Sequence, residues 1–423
     1  MFTRRSLLAS TIAAPLLASS GPVAALRSRR GEALPIAPEE RGRRLERARE
    51  LMGRNRLGAI CLTGGSSLQY FSGIHWGHSE RLFALVLPRE GAAFCVCPAF
   101  EEERAREQLA KMPGGSSTRV YTWQEDQDPY ALTARALWDA GLPGHRSGAS
   151  RPEMDRVGMD ERVPYVFASG IAKASPGLEF TSATPVTAGC RARKSPAELA
   201  LMRLANSITL QAYEAAWKQI HEGMTTGELS ALIGAAYDRL GFPGEASAQT
   251  GAYSALPHGS AQPQRIQKGA IVMIDDGCTV EGYQSDITRT FVLGKPTDKM
   301  KRVFDVVRQA QSAALAAARP GEPCEAVDQA ARRVIAGAGY GPDYKFFTHR
   351  VGHGIGLEGH EWPYLVRGNR QLLEPGMTFS DEPGVYLPGE FGVRLEDDMY
   401  ITENGAQLFT PQSRSLEEPF GKT

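Results

Sequence analysis

Four carboxylates stand in two matched pairs in the C-terminal half of the sequence. Asp275 and Asp286 lie in Ile274-Asp275-Asp276-Gly277 and Ser285-Asp286-Ile287-Thr288-Arg289-Thr290. Glu382 and Glu396 lie in Asp381-Glu382-Pro383-Gly384 and Arg394-Leu395-Glu396-Asp397. A turn centred on Val280-Glu281 sets Asp275 opposite Asp286, and one centred on Gly389 sets Glu382 opposite Glu396, because paired antiparallel residues share a face. Like charges directly opposite one another are destabilising. Four converging carboxylates protonate or repel unless something cancels them. Two divalent cations supply that charge, so the pattern predicts a dinuclear metal site. Three of the eight histidines, His349, His353 and His360, fall in one glycine-rich stretch, where glycine lets backbone approach an ion closely. Arg394 stands two residues before Glu396 and Thr288 two after Asp286, so each shares a strand face with a carboxylate and is placed to orient it. By the same alternation Asp276 points away. Gly354-Ile355-Gly356-Leu357-Glu358-Gly359 fits the dinucleotide fingerprint, but that motif needs a following helix, which Pro363 opposes.

The elements that carry these groups follow from capping and periodicity. Ser195-Pro196-Ala197-Glu198 opens a helix as a capping box with proline in its first turn, predicted to run to His221 and stop at Gly223. Thr225-Thr226-Gly227-Glu228 opens a second, stopped at Gly241. Strand-length apolar runs follow over 270–274 and 287–293. The order then recurs: a helix over 298–318, a shorter one over 325–336, and strands over 377–386 and 393–401. Residues 196–401 therefore read as helix, helix, hairpin, twice. Two such halves pack about a pseudo-twofold axis and bring both hairpins to one site. Residues 38–185 read as an α/β domain, with helices over 39–52, 99–109 and 130–140, strands over 58–63, 82–87 and 92–97, and a loop over 141–160. The fold class is α/β (α+β).

The chain has 423 residues, 42% hydrophobic and 23% charged, which suits a globular protein of more than one domain. Lys plus Arg and Asp plus Glu are both 48, which argues against a general nucleic-acid partner. No apolar run reaches the roughly 18 residues of a membrane span. Arg4-Arg5, the apolar stretch from Leu7 to Ala18 and the small residues Val23-Ala24-Ala25 read as an export signal of the twin-arginine type over residues 1–25, which predicts a periplasmic protein. Residues 26–37 read as a linker and 413–423 as a tail. The six cysteines fit no zinc spacing and read as buried thiols, with Cys95 and Cys97 expected on opposite sides of a strand.

Residues 187–412 resemble the pita-bread metallopeptidases, the group with methionine aminopeptidase, prolidase and aminopeptidase P. The pieces are Leu256-Pro257-His258-Gly259, the Asp275 and Ser285–Thr290 segments, Gly352–Leu357, Glu382-Pro383-Gly384-Val385-Tyr386 and Gly392–Asp397. The resemblance implies that Asp275, Asp286, His353, Glu382 and Glu396 bind two metals, with Mn²⁺ first and Co²⁺ or Zn²⁺ as alternatives. It assigns substrate and proton handling to His258, His349 and His360. Residues 38–185 resemble, less specifically, the N-terminal domain of the creatinase/prolidase branch, best at Gln69-Tyr70-Phe71-Ser72-Gly73. That branch implies cleavage of small peptides with proline at the second position, and a homodimer. In the implied mechanism two metals about 3.5–4 Å apart generate a hydroxide nucleophile from bridging water, and Glu382 accepts the proton. Arg394 and Thr288 steady the ligands. The same fold admits two other readings: a hydrolase or lyase of small C–N compounds, and a metal-binding relative without catalysis.

Overall fold

The computed structural model describes residues 21–142 and 155–420. The signal reading over 1–25 falls largely outside the described residues. Its last part, Gly21–Ala25, is a short helix, α1. Two compact units divide the chain, one of Ile36–Arg191 and one of the residues before and after it.

The first unit runs α2 (Pro38–Arg54), β1 (Ala59–Leu62), α3 (Gly65–Ser72), β2 (Ala84–Pro88), β3 (Phe94–Pro98), α4 (Glu102–Leu109), β4 (Arg119–Trp123), α5 (Pro129–Asp139), β5 (Arg156–Met159), α6 (Tyr165–Ala174), β6 (Glu179–Ser182) and α7 (Thr184–Arg191). Its strands form one mixed sheet ordered β4-β3-β2-β1-β5-β6. Val86, Val96, Val157 and Ile171 are among its fully buried core residues. The predicted loop over 141–160 is overturned at its end, because Arg156–Met159 is paired on both sides, with β1 and β6. Cys95 and Cys97 share a single face of β3, opposite to expectation, because the side-chain period of a strand is two. All six cysteines are buried and unbridged, as read.

The second unit continues with α8 (Pro196–Trp217), α9 (Thr226–Leu240), β7 (Ser247–Thr250), β8 (Ile271–Asp275), β9 (Thr279–Val280), β10 (Tyr283–Gln284) and β11 (Arg289–Val292). Then come α10 (Asp298–Ala317), α11 (Cys324–Ile335), β12 (Gly352–Gly354), β13 (Glu361–Leu365), β14 (Thr378–Asp381), β15 (Gly384–Leu387), β16 (Phe391–Arg394), β17 (Asp397–Thr402) and β18 (Gly405–Leu408). Both capping boxes form: Ser195 accepts from the Glu198 N–H and Thr225 from the Glu228 N–H. Gly241 caps α9 at φ 93°. The first of these helices ends at Trp217, short of the expected His221, where the chain tightens into turns bonded from Gln219 and Ile220 back to Ala216 and Trp217. α1 docks on α8 and α9 with Val23 fully buried, and the Arg29 guanidinium donates to Ser207 and Gln211. No helix among the described residues is long and apolar enough to cross a membrane.

Both hairpins are interrupted partway, and their register carries through the gap. In the second, Asp381 pairs with Asp397 before the gap and Gly384 with Arg394 after it. Glu382 and Glu396 therefore stand opposite one another, as expected. The predicted strands over 377–386 and 393–401 are each two strands split at these residues. In the first hairpin the expected register is wrong by one residue at the turn. Ile274 pairs with Arg289 and Val280 with Tyr283. The turn residues are Glu281 and Gly282, at φ 51° and 91°. A two-residue turn with both φ positive suits the strand twist, and glycine supplies it without strain. Thr288, not Asp286, lies opposite Asp275.

Candidate metal centre

The two interrupted hairpins and β12 meet at a cleft of about 430 Å³. Asp275, Asp286, His349, His353, Glu382, Arg394 and Glu396 line it, with His258, His360, Asp276 and Arg350. Every residue picked from the sequence except Thr288 thus reaches the wall, and Thr288 lies directly beneath.

The donor atoms form three overlapping triads, each spanning no more than 4.8 Å: Asp286/His353/His360, His353/Glu382/Glu396 and Asp275/Asp286/Glu396. His353 Nε2 is 3.4 Å from Glu382 Oε1 and 3.8 Å from Asp286 Oδ2. Its Nδ1 lies 3.2 Å from the Gly354 carbonyl. That acceptor holds the ring proton on Nδ1 and frees the Nε2 lone pair toward the carboxylates, the arrangement a metal-ligating histidine needs. The His353 N–H donates to Ser380 Oγ at 3.0 Å. The glycines beside it serve backbone, not an ion: a Cβ at Gly352 would sit 2.1 Å from the Ser380 carbonyl oxygen. His360 stacks on His353 at 3.6 Å and stands as close to the ligands as they do to each other.

The carboxylates are held from behind. Thr288 Oγ1 is 2.6 Å from both Asp275 Oδ1 and Glu396 Oε2. It accepts from Arg394 Nε at 2.9 Å. Arg394 also pairs with Asp275 and donates to the Pro257 carbonyl and the Tyr386 hydroxyl. The expected pairings thus change. Thr288 serves Asp275 and Glu396 instead of Asp286, and Arg394 bonds Asp275 while staying 3.9 Å from Glu396 Oε2. Asp286 is steadied through its own N–H, which donates to Asp398 Oδ2 at 3.0 Å, and Asn206 donates to that same oxygen. Asp276 sits at φ 92°, outside strand alternation. Its carboxylate takes the Ser247 N–H and belongs to no donor triad, although the residue lines the cleft.

The electrostatics bear on what the site can hold. Five carboxylates face two guanidiniums, so negative charge is in excess. Burial pushes Glu382 up to about 7 against the pull of Arg394. Burial, then neighbouring carboxylates, hold Asp286 and Glu396 well above the usual range. Asp275 goes down, because Arg394 and Thr288 outweigh its burial. Burial depresses His349 and His353 to about 3 and lowers His360, so all three are neutral near pH 7. Oxygen donors in excess negative charge around a neutral imidazole fit divalent cations.

Tyr386, Ser380, Asp398 and Arg350 were missed in the sequence as site residues. Tyr386 had a readable signal, since it lies four residues after Glu382 on the same alternation. Its hydroxyl is 2.7 Å from His349 Nε2, while His349 Nδ1 lies 2.8 Å from the Arg350 carbonyl. The carbonyl fixes the proton on Nδ1, so Nε2 accepts from the Tyr386 hydroxyl.

Known proteins match this chain over most of its length. Residues 200–403 match the model of metallopeptidase family M24, and residues 44–193 that of the creatinase/prolidase N-terminal domain. The Xaa-Pro dipeptidase of Pyrococcus horikoshii is 32% identical over 377 residues, 87% of this chain and 96% of that protein. The structure of dipeptidase PepE from Mycobacterium ulcerans is similar with TM-score 0.81 and 32% identity, over 91% of this chain and 99% of that one. That of X-Pro aminopeptidase from Thermotoga maritima has TM-score 0.73 and 28% identity, over 88% and 99%. Sequence and fold agree that the chain belongs to metallopeptidase family M24, in the branch with a creatinase/prolidase N-terminal domain.

Proposed function

We propose that this chain hydrolyses dipeptides with proline in second place, using two divalent cations held by Asp275, Asp286, His353, Glu382 and Glu396. Mn²⁺ is the first candidate, with Co²⁺ and Zn²⁺ the others. The overlap of the donor triads carries the reading: Asp286, His353 and Glu396 each belong to two of them, so adjacent cations share ligands. The dipeptidase names of its relatives support the substrate class.

Bound cations supply Lewis-acid polarisation of the scissile carbonyl and a water of lowered pKa. The rest falls to the protein. Glu382, raised by burial in the metal-free protein, would hold a cation and is placed to accept a proton. His349, whose Nδ1 lies 3.7 Å from Glu382 Oε2, stays neutral and orients the Tyr386 hydroxyl through Nε2 beside the acceptor, and the proton held by Glu382 is the one available to the leaving proline nitrogen. His258 and His360 on the wall donate to the oxyanion as it forms. Thr288 and Arg394 keep Asp275 and Glu396 in place.

The test is release of Ala from Ala-Pro and from Ala-Pro-Ala by protein loaded with Mn²⁺. Cleavage of the dipeptide alone supports the proposal. Cleavage of the tripeptide supports the aminopeptidase mode, which likeness to the Thermotoga maritima enzyme favours. Cleavage of neither, with metal bound, refutes both and moves the reading to a small C–N compound. Export to the periplasm by the twin-arginine route, from Arg4-Arg5 and the apolar stretch after them, is proposed alongside and tested by cell fractionation.

A further inference from the structure

A second chamber, of about 480 Å³, adjoins the cleft. The two meet at Asp276, Asp286 and His360, which line both. Glu382 and His349, which the proposed reaction sets beside the leaving nitrogen, line the cleft alone. The formal charges on the chamber wall are of one sign. Glu245, Asp276 and Asp286 line it, and no lysine or arginine does among the described residues. Cations in the metal centre would neutralise Asp286. Asp276 belongs to no donor triad, and Glu245 is exposed with no ion pair among the described residues, so both charges stay uncompensated.

The wall is held in shape by the segments that carry it. The Glu245 N–H donates to the Gly277 carbonyl at 3.0 Å, and the Thr279 N–H to the Pro243 carbonyl at 2.9 Å. Gly244 bridges to Cys278 between them, and a Cβ there would sit 2.6 Å from the Tyr237 ring. Asp276 Oδ2 takes the Ser247 N–H at 2.8 Å, which fixes the direction of that carboxylate. Gln284 Nε2 donates to the Leu357 carbonyl at 3.2 Å, which turns Oε1 to the Gly359 side of the wall as an acceptor. Two carboxylates and an amide oxygen on a pinned frame are organised for a group that only donates. An ammonium or a guanidinium is such a group.

We infer that this chamber receives the side chain of the substrate's first residue and that Asp276 and Glu245 select lysine or arginine there. The inference rests on the proposed Xaa-Pro reading and names the substrates it prefers. With the scissile carbonyl at the metal centre, proline lies toward Glu382 and His349, and the residue before it lies toward Asp286 and His360, where the chamber begins. A neutral side chain of the same length makes no charge-assisted bond there and leaves both carboxylates unpaired. An acidic one meets like charge. Asp276 and Glu245 are specificity residues, since they touch the substrate away from the reacting carbonyl.

The test compares Lys-Pro, norleucyl-Pro and Glu-Pro on Mn²⁺-loaded wild type, Asp276→Asn, Glu245→Gln and Glu245→Lys. Wild type is expected to favour Lys-Pro over norleucyl-Pro, its uncharged analogue of equal length, by about 5- to 50-fold in kcat/KM, between the worth of a screened surface pair and that of a charge-assisted bond. Asp276→Asn and Glu245→Gln each lower that ratio by at least about threefold, chiefly by raising KM for Lys-Pro, and Glu245→Lys moves the preference toward Glu-Pro. Equal wild-type rates on Lys-Pro and norleucyl-Pro overturn the inference, as does a preference that survives both neutral variants. Equal losses on the two substrates also overturn it, since they mark a structural role. If wild type cleaves none of the three, the Xaa-Pro reading fails by itself, and calorimetric titration of the same proteins with lysinamide and norleucinamide still judges the chamber. Lysinamide bound at least about five times tighter than norleucinamide by wild type, with the difference lost in Asp276→Asn, supports it; equal binding of the two, or binding of neither, overturns it.

Discussion

Replacing Thr288 by Val removes one hydroxyl and leaves the volume of the side chain nearly unchanged. The site is fully buried, so no water replaces what is lost. That hydroxyl is 2.6 Å from two carboxylate oxygens and accepts from Arg394 Nε at 2.9 Å. It has one proton to give, so the substitution deletes one donated and one accepted bond, both to charged groups. Such bonds contribute about 1.5–3 kcal/mol each, and a buried group left unpaired costs a comparable amount. Arg394 retains Asp275, Tyr386 and the Pro257 carbonyl, which limits the damage to roughly 2–4 kcal/mol of stability in the metal-free protein. Asp275 and Glu396 then lose the link that sets their mutual spacing. Loss of such support lowers metal affinity or activity by about 10- to 100-fold. Calorimetric titration of metal-free protein with Mn²⁺, paired with kcat/KM on Ala-Pro, reads both effects, and Thr288→Ser restores the hydroxyl as a control. A Thr288→Val protein that melts with wild type and binds Mn²⁺ within about threefold of it would refute the reasoning.

Glu382→Ala is expected to remove a ligand and the proton acceptor together, taking kcat on Ala-Pro down by at least about 10³-fold; a variant with wild-type turnover removes Glu382 from the mechanism. Metal-free protein should lose stability as pH rises from 6.5 to 8, because Glu382 and Asp398 are raised to about 7 and about 8, so that folding favours their neutral forms. Depressed His349 and His353 act in the opposite sense only below about 6.5, where unfolded histidine titrates. Mn²⁺ should therefore raise Tm more at pH 8 than at pH 6.5, and equal shifts in a thermal melt count against the assignment. Arg332→Met strands buried Asp328 and should destabilise by about 3–5 kcal/mol in urea titration. Deleting residues 1–25 in place of 1–20 uncovers the seat of buried Val23 and should cost about 1.5–3 kcal/mol, read as a lower Tm.

The parts of this site that were legible in the sequence are those set by short-range rules. Ser195 and Thr225 form the capping boxes their spacing requires. Glu382 and Glu396 face each other because the hairpin turns at Gly389 and keeps one register throughout. The first hairpin was misread by one residue because its signal is subtler. Gly282 supplies the second positive φ of the turn, and centring on Val280-Glu281 ignores it. Tertiary pairing hid the rest. Asp398 supports Asp286 across 112 residues, Arg332 braces the His349 loop, and the sheet order of the first unit depends on contacts that no local pattern encodes. β5 is a short run whose strand identity comes from neighbours on both sides, so its composition reads as loop.

The two hairpins share a device that explains how carboxylates come together without breaking the sheets that present them. A continuous ladder would leave Glu382 and Glu396 facing each other with no other partners in reach. Interrupting the ladder while keeping its register frees the backbone at those positions to bond elsewhere. The Glu382 N–H reaches the Val351 carbonyl and the Glu396 N–H reaches the Thr288 carbonyl, so each ligand is tied to a different segment of the centre. Glu396 in particular is joined to the other half of the unit twice, by its N–H to Thr288 and by its carboxylate to the Thr288 hydroxyl. Pro383 next to Glu382 lacks the N–H that would continue the ladder and so favours the gap. Pro383→Ala restores a donor without joining β14 to β15, since the Val351 carbonyl already holds the Glu382 N–H. The interruption therefore rests on the contacts across the two halves. Loss of Thr288, which makes two of them, should loosen both hairpins together.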